Sequence, residues 1–159
     1  VRPVEAAVAI VEEVLRDHPE IQSRRLDARH WSLILPGTVR LAIPVAVAVA
    51  EHTTALTSFV LRGPRPPFGR PEDLHRLLLR RNRTTRRVHF ALDRDDDVIM
   101  LARLATATLT RDGLDRSLAE ILSLSESAFE PLVHLAYPGV FRPLSELRPP
   151  GPDRSDNSV

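Results

Sequence analysis

Residues 29–62, RHWSLILPGTVRLAIPVAVAVAEHTTALTSFVLR, decide the fold. Their apolar residues recur with a period of two, which belongs to strands and not to helices. Trp31, Leu33 and Leu35 alternate with Ser32 and Ile34, and Pro36-Gly37-Thr38 predicts a turn into a second run. In that run Val39, Leu41, Ile43, Val45, Val47 and Val49 point one way, while Arg40, Ala42, Pro44, Ala46 and Ala48 point the other. One face is heavy and the other small. Pro44 cannot donate a ladder hydrogen bond, so a bulge or an edge-facing position is expected there. After a polar turn near Glu51 to Thr53, residues 55–62 predict a third strand around Leu56, Phe59, Val60 and Leu61.

Upstream, Val4, Ala7, Val8, Val11, Val14 and Leu15 fall at the 3.6-residue period, opposite Glu5, Glu12, Glu13 and Arg16. This predicts a helix over about residues 3–17, with Pro3 in its first turn and Asp17-His18-Pro19 ending it. Downstream, the Pro-rich run 63–71 predicts a stiff loop. A short basic helix follows over 71–82, with Leu74, Leu77 and Leu78 inside and Asn82 as its C-terminal cap. Residues 87–93 and 98–104 predict a second hairpin around Arg94-Asp95-Asp96-Asp97. Thr110 caps a long last helix whose Leu114, Leu118, Ile121, Leu122, Phe129, Leu132 and Val133 stay in phase to about Tyr137, with a bend near Pro131.

The expected architecture is therefore α+β, a single domain with an antiparallel sheet and the order α-β-β-β-α-β-β-α. The domain is expected over residues 1–147, with 148–159 a disordered tail. A length of 159 residues and 43% hydrophobic content are enough for one buried core. The absence of Cys excludes a disulfide scaffold and points to a cytoplasmic setting. No apolar run is long enough to span a membrane, and Glu5, Glu12 and Glu13 do not suit an export signal.

Charge names no partner: 22 basic residues, all Arg, against 21 acidic ones give +1. Six Arg do cluster between Arg76 and Arg87, and Arg suits phosphate geometry, so Arg76, Arg80, Arg83, Arg86 and Arg87 are the candidate contacts of a nucleic-acid-binding alternative. Near-neutral total charge and the lack of a recognisable nucleic-acid motif weigh against it. The Asp93 to Asp97 run has carboxylates at calcium-loop spacing, but Val98 and Leu104 occupy the places of the required Gly and Glu, which makes it a solvated turn. The six His share no ligand spacing, and no nucleophile elbow or phosphate-binding Gly loop occurs. No catalytic residue, metal ligand or cofactor is expected. The small-residue face of the second strand is the stronger clue: Arg40, Ala42, Ala46 and Ala48 make a surface that a peptide or a second subunit can approach closely.

The stretch Leu77-Leu78-Leu79-Arg80-Arg81-Asn82, then Val88-His89-Phe90-Ala91-Leu92-Asp93, Val98-Ile99-Met100-Leu101 and Leu114-Asp115-Arg116-Ser117-Leu118 resembles the YbjN family, most nearly its actinobacterial branch. The resemblance covers about residues 73–137, and Asp96 stands where the hairpin usually has Gly. It implies a fold similar to type III secretion chaperones and a non-enzymatic regulatory or chaperone-like role. The partners it implies are a protein or peptide client, bound on the sheet or in a dimer groove, and a second copy of the chain as a homodimer.

Overall fold

The computed structural model describes residues 2–65 and 70–140. The tail expected at 148–159 and the domain end at 147 lie outside them. Along the chain come α1 (Pro3–Asp17), β1 (Gln22–Arg25), β2 (His30–Pro36), β3 (Ala42–Val49), β4 (Thr53–Leu61), α2 (Pro71–Asn82), β5 (Val88–Leu92), β6 (Val98–Ala105), a short 3₁₀ turn and α3 (Arg111–Ala136). The α+β architecture matches the sequence, with one addition. Strand β1, Gln-Ser-Arg-Arg, is exposed throughout and carries no apolar alternation, so only its pairing with β2 makes it a strand.

All pairings are antiparallel, in the order β1-β2-β3-β4-β6-β5. Strand β6 lies between β4 and β5, which therefore run parallel and are joined by a crossover through α2. Period-two alternation then sorts every strand into two faces. The row Trp31, Val47, Leu56, Ala102 and Val88 crosses five strands and is buried throughout. Leu33, Val45, Met100 and Phe90 build the next buried row. Helices α1, α2 and α3 pack over this side, giving it Ala7, Val11 and Val14, then Leu74 and Leu78, then Leu114, Leu118, Ile121 and Leu132.

The second hairpin strand begins later than its alternation predicts. Leu41, expected on the heavy face, is 72% exposed, and the strand starts at Ala42. The cause is long-range: Glu126 on α3 accepts the amides of Thr38 and Val39 and the Thr38 hydroxyl, which draws the chain into a loop. Gly37 is required in that loop, because a Cβ there would lie 2.2 Å from the Arg40 carbonyl oxygen. Pro44 lies beyond the last β3–β4 pair, and Ser58 Oγ donates to its carbonyl. A bulge between Phe59 and Leu61 turns both Val60 and Leu61 into the core. Thr110 caps α3 as expected, its hydroxyl accepting from Gly113 N at 3.0 Å. The helix runs unbroken through Pro131 to Ala136.

Candidate partner-binding face

The side of the sheet away from the helices presents a different set of residues. Directly beside the buried row runs Ser32, Ala46, Thr57, Leu101 and His89, and none of the five is buried. Flanking it are His30, Ala48, Ala55 and Arg103 on one side and Ile34, Pro44, Phe59, Ile99 and Ala91 on the other. Phe59 is 40% exposed. Among the described residues no helix covers this side. It carries mainly small and apolar side chains, with Ser32, Thr57, His30, His89 and Arg103 as the polar ones.

Ala42, Ala46 and Ala48 stand on this face, as their alternation predicts. Arg40 does not join them. It precedes the strand, and its guanidinium lies 4.9 Å from the centre of the Phe129 ring on α3, while Nη2 donates to the Phe59 carbonyl at 3.0 Å. Burial lowers its pKa from the ordinary arginine value. Arg40 thus braces α3 against the end of β4, a role that follows from the displaced strand start.

The Arg76 to Arg87 cluster is divided. Arg76 and Arg80 belong to α2 and Arg83 caps its end, with Arg76 Nη1 at 3.9 Å from Asp73, whereas Arg86 and Arg87 lead into β5. There they meet a residue that the Arg-rich run does not contain, Arg103 of β6. A depression of about 430 Å³ is walled by Arg86, Arg87, His89 and Arg103 over Ala91 and Leu101. The entry to β5 is held by Glu120 of α3, which accepts the Arg86 amide at 2.8 Å and the Arg87 amide at 3.1 Å. Partial burial raises the Glu120 pKa, but the amides of Arg86, Arg87 and Val88 and the Arg87 charge outweigh it, so the carboxyl titrates below its ordinary value. Alternation of Ile99, Leu101 and Arg103 against Val98, Met100 and Ala102 is the signal that places Arg103 here.

Asn82, expected as the cap of α2, has another task. Its amide donates to the Phe90 carbonyl at 3.0 Å and accepts from the Phe90 N–H at 2.8 Å. Those are backbone groups of an edge strand, and filling them blocks further strand addition at β5. The acidic hairpin is a turn: Asp93 Oδ1 accepts the amides of Asp95 and Asp97, and Asp96 takes the left-handed conformation at φ 61°. Asp97 also receives the Gly63 amide at 3.0 Å, tying the exit of β4 to the hairpin. At the other end of the molecule His18 bridges Glu20 and Asp115; the bond to Glu20, opposed by partial burial and aided by Asp115, raises its pKa. Among the described residues no three His, Asp or Glu side chains converge on a cation-sized site. No described helix is long and apolar enough to cross a membrane.

Comparison with known proteins fits this arrangement. The profile of the family YbjN, described as "Putative bacterial sensory transduction regulator", matches residues 9–133. The chain belongs to the YbjN family. An uncharacterized protein of Mycobacterium tuberculosis is 35% identical over 103 residues, which is 65% of this chain and 55% of that one. One of Mycobacterium leprae is 33% identical over 103 residues, 65% of this chain and 54% of that one. The chain thus spans about half the length of these mycobacterial relatives. Among solved structures, a chain of the HopA1–SchA chaperone–effector complex superposes with TM-score 0.52 at 14% identity, covering 74% of this chain and 88% of that one. A chain from the Yersinia pestis type III secretion chaperone SycH in complex with a YscM2 fragment gives 0.49 at 18% identity, over 75% and 96%. The fold of this YbjN chain is that of type III secretion chaperones. The Asn and Phe of the family-like stretch, Asn82 and Phe90, are the pair that bond to each other.

Proposed function

We propose that this chain is a non-enzymatic, chaperone-like or regulatory protein that binds a segment of a partner protein on the uncovered face of its sheet. The observation that carries this reading is the continuous row Ser32, Ala46, Thr57, Leu101 and His89. It is flanked by Ala48 and Ala55, between His30 and Arg103, on one side and by Ile34, Pro44, Phe59, Ile99 and Ala91 on the other, and lacks a covering helix among the described residues. Sheets that are half-buried on one side put polar side chains on the other. Here Ala42, Ala46, Ala48, Ala55, Ile99 and Leu101 occupy such positions instead, a composition suited to close approach by another chain. The likeness to a chaperone–effector complex supports the same role. A homodimer in the cytoplasm fits this reading, the Cys-free composition suiting a reducing compartment.

Site-directed photocrosslinking tests it. A photoreactive phenylalanine analogue in place of Ala46 or Thr57 should trap a discrete protein adduct in cells, while the same group at Arg116, exposed on α3, should not. Equal trapping at all three positions, or none at the first two, would refute the reading. Light scattering of the purified chain should give twice the protomer mass.

A further inference from the structure

We infer that the segment received by this face is acidic, with its carboxylates seated at the corner formed by Arg86, Arg87 and Arg103 and its apolar side chains on Ala91 and Leu101. The inference rests on the sheet-binding reading above and specifies the chemistry of the partner. Although the chain carries 21 acidic residues, none lies in any of the six strands. The acids among the described residues sit in helices and loops, where Glu12, Asp17, Asp73 and Asp112 pair with Arg25, Arg111, Arg76 and Arg116. A protein of nearly zero net charge therefore has, among the described residues, a sheet whose only formal charges are positive.

That charge is concentrated and held in place. Arg86 and Arg103 form no ion pair among the described residues, and no Asp or Glu lines the corner. Val88 stands opposite Ala102, so continuing the antiparallel register by one residue brings Arg87 opposite Arg103. Like charges facing each other across strands are unfavourable, and an anion between them relieves the repulsion. Glu120 offsets part of the Arg87 charge, but its carboxylate oxygens receive the two backbone amides, which fixes the turn that presents Arg86 and Arg87. Arg is suited to bidentate contact with carboxylates. The floor favours a protein over a nucleic acid, because Ala91 and Leu101 offer aliphatic contact and no Phe, Tyr or Trp lines the corner for a base to stack on.

The test uses the full chain and four fluorescent probes: a peptide alternating Leu with Glu, its Leu/Gln and Leu/Lys counterparts, and a single-stranded oligonucleotide. Fluorescence anisotropy should show the Leu/Glu peptide binding about tenfold or more tightly than the Leu/Gln peptide at low salt, with the advantage shrinking as salt rises. The double variant Arg86→Gln/Arg103→Gln should erase that advantage and leave Leu/Gln binding unchanged. Equal affinity for the Glu and Gln peptides would overturn the acidic partner while leaving the sheet reading intact. Failure of every peptide to bind a folded chain would overturn both. Tighter binding of the oligonucleotide, lost in the same double variant, would overturn the inference in favour of nucleic acid.

Discussion

Leu56 and Thr57 are consecutive residues of β4, yet they belong to different parts of the molecule. Leu56 lies in a row of five buried side chains beneath the helices, and Thr57 lies in a row of five accessible ones on the far side. The same contrast holds for Trp31 and Ser32, Val47 and Ala46, Ala102 and Leu101, and Val88 and His89. One strand thus serves two purposes by parity alone, since its side chains alternate between faces. Stability resides in one set, and the other is free to be shaped by what it contacts.

The sharpest way to break this contrast is to cut each row in turn. Leu56→Ala should cost about 2–5 kcal/mol, the range for a buried leucine that leaves a cavity. Thr57→Ala should stay within about 0.5 kcal/mol, as surface changes do. Urea unfolding followed by circular dichroism would measure both, and a comparable loss at Thr57 would mean that the open face is covered. The next effect concerns the edge. Asn82→Ala removes two hydrogen bonds from Phe90 and should lower stability by about 1–3 kcal/mol. It should also create self-association detectable by analytical ultracentrifugation, because β5 would then expose unpaired backbone.

Smaller effects probe the supports of the basic corner. Glu120→Gln should cost about 1 kcal/mol through weaker acceptance of the Arg86 and Arg87 amides. The folded Glu120 pKa lies below its unfolded value, so its contribution is present above the unfolded pKa and is lost as pH falls through the folded one. The acid limb of a stability-against-pH curve should therefore be shallower in the Gln variant. The smallest change expected is a gain. Asp96→Gly should stabilise the chain by about 0.5–1 kcal/mol by relieving the left-handed conformation at φ 61°. Thermal unfolding reads this directly, and a loss would show that the Asp96 side chain contributes more than its backbone conformation costs.

Several elements are legible in the amino-acid order itself. The helix over Pro3–Asp17 carries its buried Ala7, Val11 and Val14 at helical spacing, and the heavy face of β3 is visible in Ile43, Val45, Val47 and Val49. The turn at Asp96 and the cap at Thr110 follow from the residue types. Other features leave no local trace. Strand β1 has no pattern to detect, and Leu41 is turned outward by a carboxylate of α3 that lies far along the chain. The candidate face is legible only in its β3 portion. Parity assigns Arg40 to it, but the strand begins at Ala42 and leaves Arg40 outside, while Leu101 and Arg103 enter the face from a strand distant in sequence.

Hydropathy period, proline placement and turn chemistry are enough to establish an α+β chain with one heavy and one small strand face, since these depend on neighbours within a few residues. Which strands lie side by side, which face the helices choose, and that Arg87 stands beside Arg103 depend on β6 entering between β4 and β5. That insertion is settled by the combined burial of three helices and six strands, a sum over contacts that no single segment contains.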